Sequence, residues 1–189
     1  MPDHNQTAPG DLEVVRRFIN TWSIPNDTRE ETDALPQLAG SPELWRTGFP
    51  ENARARVDTV SRLQRLRTDL RRACRREVSG EDALNEWFST AELSVKVRSI
   101  GDAVKLIVEP SEASFVGYVV AGVANAIASG EWLRLKTCPD CQWAFYDHTR
   151  NGTKRWCGMT KGGPEGRACG TIAKVRAYRA REEKKGSTG

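Results

Sequence analysis

The chain has 189 residues, with 29 Lys plus Arg against 25 Asp plus Glu and a formal net charge of +4. That length holds one ordinary core plus a small appendage and excludes two large domains. Charge divides unevenly: residues 134–189 carry 13 Lys plus Arg against 5 Asp plus Glu, net +8, and the first 133 residues carry 16 against 20, net −4. A polyanion is therefore expected to meet the C-terminal part. Lipid is excluded as a spanned phase, because the longest uncharged apolar run, 115–128, has fourteen residues and a span needs about twenty.

Asp11 is placed to cap a first helix in which Leu12, Val15, Ile19 and Trp22 recur at helical spacing, and Pro25 ends it. Residues 26–33 are polar and read as loop. Ser41-Pro42-Glu43 is an N-cap followed by proline at the first helical position, and Gly48 closes that short helix. The longest periodic segment is 51–78, with Val57, Val60, Leu63, Leu66, Leu70, Ala73 and Cys74 on one side. Arg62, Arg65, Arg71, Arg72, Arg75 and Arg76 crowd elsewhere on it; in a net acidic body they read as a solvated face making internal ion pairs rather than as a DNA surface. Cys74, on the apolar side, reads as a buried thiol.

The period then changes. Leu93, Val95 and Val97 alternate with polar residues, and after Gly101-Asp102 Val104, Leu106 and Val108 alternate with Lys105, Ile107 and Glu109, which predicts a hairpin whose glycine supplies positive φ. Pro110 stops it, and Ser111 is placed to cap a buried helix running to Gly130. The fold class expected is mainly α (α+β): a disordered tail at 1–10, a helical domain with one hairpin over 11–133, a small four-cysteine module ending in a helix over 134–185, and a second tail at 186–189.

The strongest signal is Cys138-x2-Cys141-x15-Cys157-x11-Cys169. Two cysteines two residues apart reach one ion from a tight turn, and four thiolates complete the tetrahedron of a structural zinc, one per chain. Two disulfides are the competing reading. The polar first ten residues carry no secretory signal, so a reducing cytoplasm is expected and metal is favoured over oxidative pairing. Trp143, Phe145, Tyr146 and Trp156 supply apolar packing for a fragment too small for an ordinary core. His148 is not needed as a ligand once four thiolates close the sphere.

On the last helix, at 100° per residue, Arg181 and Lys185 fall within about 20° of Lys174 and Tyr178 within about 40°. That stripe, with Arg176 and Arg179 on the same helix and Lys154 and Arg155 before Cys157, is the candidate DNA-contact set. Cations that merely suit a helix C-terminus are the competing reading.

These residues carry a resemblance. Cys138-Pro-Asp-Cys141, the stretch from Phe145 through Asp147, Thr149, Arg150 and Asn151, Lys154-Arg155-Trp156-Cys157-Gly, and Cys169-Gly170 followed by a basic helix resemble a CGNR zinc finger. Phe18-Ile19-Asn20-Thr21 is similar to the opening helix end of the ABATE-type domain that precedes such fingers in bacterial proteins described as stress-induced transcription regulators. Where the family has Asn-Arg after Cys-Gly, this chain has Thr171-Ile172, and it inserts 160–168 between the third and fourth cysteines. The resemblance implies a cytoplasmic, zinc-dependent regulator binding double-stranded DNA. It leaves open a homodimer and a small effector bound by the N-terminal domain. The alternative is a zinc-stabilised module docking on an acidic protein. With two histidines, no nucleophile–base motif and no phosphate loop, an enzyme is not expected.

Overall fold

The computed structural model describes residues 6–25, 28–158 and 168–186, with side chains through Arg181. Among them are seven α-helices and six short strands, the α+β class read from the sequence. No helix among the described residues is long and apolar enough to cross a membrane.

α1 (Leu12–Ile19) lays Leu12, Val15, Phe18 and Ile19 on the core, but it ends at Asn20 rather than at Pro25. Thr21 Oγ1 turns back to the carbonyl of Phe18, and Trp22 enters a two-residue strand, β1 (Trp22–Ser23), paired with β2 (Thr32–Asp33). The expected loop at 26–33 therefore closes as a strand, with residues 26 and 27 outside the described residues. Asp11 makes no capping bond; its backbone is already helical, and the amide of Glu13 goes to the carbonyl of Gly10.

α2 (Leu35–Gly40), absent from the sequence reading, starts where Asp33 Oδ1 accepts from the amide of Leu35. α3 (Pro42–Gly48) is capped by Ser41 as expected, its Oγ accepting from the amide of Leu44. Within the periodic segment 51–78 only α4 (Val60–Cys74), capped by Thr59, is α-helical, after a 3₁₀ turn (Pro50–Asn52); a further helix absent from the sequence reading, α5 (Val78–Thr90), begins where the segment ends. α4 stops short of the expected end at Val78 because Arg76 takes φ +61° and reverses the chain into α5. Gly80 lets them cross: a Cβ there would lie 2.5 Å from the backbone nitrogen of Ala73.

The hairpin forms as read, β3 (Leu93–Ile100) against β4 (Ala103–Pro110), with φ +59° at Gly101. Ser114, not Ser111, caps α6 (Phe115–Ala128), because the amide of Ser111 is spent on the carbonyl of Glu92, prolonging the hairpin. A third hairpin, β5 (Leu135–Thr137) with β6 (Ala144–Tyr146), precedes the final helix, α7 (Cys169–Gly186).

The core centres on Phe18, Trp45, Phe49 and Phe115, whose neighbouring rings stand 4.6–5.4 Å apart, near the edge-on geometry aromatic pairs prefer. Leu135, Ala144 and Tyr146 belong to this same core, and a second, smaller core surrounds the four cysteines with Phe145, Trp143 and Trp156. Contacts thus cross the 133/134 boundary. They also cross at the N-terminus: in the tail expected at 1–10, Ala8 is buried, Gln6 donates to the carbonyl of Cys157, and the carbonyl of Thr7 meets His148 Nε2. Residues 1–5 lie outside the described residues.

Most of the arginines of α4 find partners inside the body. Arg62 pairs with Asp58, Arg65 with Glu86, Arg72 with Asp69, Arg75 with Glu77. Arg67 grips Asp33 through two bonds of 2.6 and 2.7 Å and holds its carboxyl below the usual range.

The α4–α5 crossing gives a first prediction. Gly80→Ala drives a methyl into backbone that cannot rotate away, so chemical denaturation should show a loss of about 1–3 kcal/mol with zinc content unchanged.

Candidate metal centre

The first two cysteines sit on a knuckle between β5 and β6. The amide of Cys138 donates to the carbonyl of Trp143, and that of Gln142 donates to the carbonyl of Cys138. Gln142 takes φ +60° to close the turn, which brings Cys141 back beside Cys138.

Residues far away in sequence hold this knuckle. Asn20 both donates to the carbonyl of Ala144 (2.9 Å) and accepts from its amide (2.7 Å), so its side chain acts as a piece of strand. Arg71 is buried over the Trp22 ring, 4.2 Å from its centroid, and donates to the carbonyls of Ile19 and Gln142. Burial, then the charge of Arg75, pulls its pKa down to about 10, still charged at neutral pH. None of these contacts is legible in the spacing of the cysteines.

Cys157 follows a loop folded around Asp147, a fully buried carboxylate. It accepts from Lys136 Nζ (2.7 Å), from the amide and hydroxyl of Thr149 and from the amide of Lys154. Burial alone would raise its pKa; the bonds from Lys136, Thr149 and Lys154 win and lower it from 3.8 to about 2. Arg134 fastens the outside of the loop through the carbonyls of Asp147, Thr149 and Arg150. Cys169 opens α7, where the amide of Gly170 donates to the carbonyl of Gly158, tying the last two ligand segments together.

The four Sγ atoms converge within 4.8 Å of one another, and all four cysteines are buried. Cys141 and Cys157 Sγ are 3.5 Å apart and Cys157 and Cys169 Sγ 3.7 Å. A disulfide needs about 2.05 Å. A tetrahedron with Zn–S bonds of about 2.3 Å has edges of about 3.8 Å, so the donor set fits zinc and not oxidative pairing. Crowding also splits the thiols, Cys138 being pushed down by its bonds with Cys141 and Cys157, and both of those up by the same contacts. A divalent cation is what lets all four be thiolates together. Cys74 is elsewhere, buried in the main core, its thiol pushed up to about 12 by burial.

His148 is exposed and turned to Thr7. Lys154 is half-buried with its Nζ 5.4 Å from the Phe145 ring centroid, and Arg155 is exposed over Trp156. Lys174, Arg176, Tyr178, Arg179 and Arg181 are all exposed on α7, and Arg176 meets Asp140 at 3.3 Å. The side chain of Lys185 lies outside the described residues. Thr171 is exposed and Ile172 half-buried on the first turn.

Two predictions follow from the cage and its loop. Cys157→Ser should abolish zinc in elemental analysis, whereas Cys74→Ser should keep one ion per chain. Asp147 has a depressed folded pKa, so its contribution, about 2 kcal/mol, is present above the unfolded value and fades as pH falls from about 4 through 2. Asp147→Asn should cost that amount at pH 7. Acid release of zinc lowers both proteins, so the readout is the stability difference between them, which should narrow below pH 4.

No curated protein matches the chain. The family described as CGNR zinc finger matches residues 134–182, the segment running from the β5–β6 knuckle into α7. With the convergent thiols, that match identifies residues 134–182 as a zinc-binding module of the CGNR zinc finger kind, built around one structural zinc ion.

Proposed function

We propose that the chain is a zinc-dependent DNA-binding transcription regulator whose finger presents α7 to duplex DNA. One observation carries this reading. Every residue of α7 from 174 to 181 is exposed, and Lys174, Arg179 and Arg181 make no ion pair with the described residues. An 18-residue helix is about 27 Å long, and a free-standing helix gains nothing from tertiary burial, so it is shaped for a partner. The net charge of +8 beyond residue 133 makes that partner an anion, and a major groove accepts a helix of this width. On this reading Lys174, Arg179 and Arg181 with Arg155 carry the contacts, since Arg176 is engaged by Asp140 and Lys154 lies on Phe145.

The body serves sensing or assembly on this reading, and a cleft of about 490 Å³ between α1, α6 and the hairpin base offers space for a small effector. The protein acts without catalysis: four thiolates close the metal sphere, whereas a catalytic zinc keeps an open position. A second reading has one observation in its favour. Val175 and Tyr178 are exposed beside the cations of α7, which suits docking on an acidic protein as well as on phosphate.

Titration of fluorescent duplex DNA against salt separates the two. Four phosphate contacts give a slope of log affinity on log salt near about −4, and binding should weaken by roughly two orders of magnitude between 50 and 200 mM. Lys174→Ala with Arg181→Ala should reduce the slope by about 2 while zinc stays bound. Unchanged binding by the double variant would leave the protein-docking reading in its place.

A further inference from the structure

The β3–β4 hairpin is uncovered on one face. Its register sets Val95 beside Val108, Val97 beside Leu106 and Ser99 beside Val104, so Leu93, Val95, Val97 and Ser99 share a face with Val104, Leu106, Val108 and Pro110. No residue on that face is charged. Its outer part is open to solvent, with Val95 64%, Val97 67%, Val104 71% and Leu106 64% exposed. The charges of the hairpin are on the other face, where Glu109 takes Lys96 at 2.6 Å together with Arg98.

The hairpin is also held in place. Asn125 of α6 accepts from the amide of Val108 (2.8 Å) and donates to its carbonyl (2.9 Å), fixing the base of β4 to the body. A two-stranded hairpin is marginal in water unless its apolar face is packed, and here the face is aimed outward on a rigid mount. A contiguous apolar patch on a preset element marks an interaction surface.

We propose that this face binds a second copy of the chain, hairpin upon hairpin about a two-fold axis. Charge selects the partner: the face offers nothing to pair with a charged protein surface, and two copies bring no like charges together. The geometry is self-complementary, since a two-fold through the patch lays the β3 valines of each copy on the β4 valine and leucine of the other, every contact being made twice. Area sets the strength. Full burial of a Val or Leu side chain removes about 60–120 Å² from water, so eight such chains, two-thirds exposed, supply on the order of 500 Å² of apolar surface. An interface at the low end of the standard range, about 1,200 Å², is a little over half apolar and needs on the order of 700 Å². The half-exposed Val108 and Pro110 and the strand edges extend the patch toward that area, which makes the expected dimer a weak, reversible one. The inference does not depend on what α7 binds.

Sedimentation equilibrium of the full zinc-loaded chain tests it. The parent should show a reversible monomer–dimer equilibrium, and Val97→Lys and Leu106→Glu should each weaken self-association by at least about 100-fold. Both side chains are about two-thirds exposed, so the fold is not at risk, and unchanged zinc content and thermal midpoint would verify that. A parent that stays monomeric at 200 µM, or variants that dimerise as tightly as the parent, would overturn the proposal. DNA affinity is read on other residues and is unaffected by either result.

Discussion

The finger depends on the grip of the body on one short strand. β6 has β5 on one edge, and on its other side Asn20 replaces a missing strand at Ala144 while Arg71 holds the adjoining carbonyl of Gln142. Both Ala144 and Arg71 are buried, so neither the peptide nor the guanidinium has water as a substitute partner. Cys138 and Cys141 are therefore positioned by ordinary hydrogen bonding and packing before any metal is considered. Cys157 follows the loop braced from inside by Asp147 and from outside by Arg134, and its carbonyl accepts from Gln6. Cys169, at the start of a solvent-exposed helix, has the least support, so the cage is unequal and the metal has most to fix there.

The same economy governs charge. The chain carries a strongly basic α4, and a sequence with so many arginines on one helix invites a nucleic-acid reading. Instead Arg62, Arg65, Arg72 and Arg75 meet carboxylates of the body, Arg67 closes β2 onto the core, and Arg71 serves the knuckle. The body ends net negative with the arginines of α4 engaged. The unspent positive charge of the finger is why the polyanion reading attaches to α7 and not to the arginine-rich α4.

What was legible follows from the range of the interactions. Four cysteines at those spacings announce themselves because thiolate chemistry is local to a few turns, and the hairpin does so because alternation and a Gly-Asp turn are neighbours in sequence. α5 is hard to read because Gly80, Leu84 and Trp87 are the residues it buries, too sparse a stripe to announce a helix, and the positive φ of Arg76 that separates it from α4 leaves no mark in the apolar pattern. Ser111 and Ser114 are equally good caps by type; the amide of Glu92's partner Ser111 decided between them only once the hairpin had paired. Asn20 and Arg71 were beyond reach, their partners standing 124 and 71 residues away. Asp147 looked like any loop acid until Lys136 and Lys154 were brought around it.

The unequal cage bears on how zinc and the partner of α7 are linked. An isolated helix is limited by nucleation, the cost of fixing its first turn before any bond repays it. Here Cys169 and the bond from Gly170 to Gly158 fix that turn from outside, so the ion acts as the nucleus for a helix that buries almost nothing beyond it. Without the ion, each residue of α7 that ordered on a partner would cost about 1–2 kcal/mol of backbone entropy at the moment of binding. With the ion, much of that cost is met in advance. On the proposed reading zinc would thereby set the affinity of α7 while standing apart from its exposed face, and the body, gripping β6 through Asn20 and Arg71, keeps the knuckle half of the site ready to receive the ion.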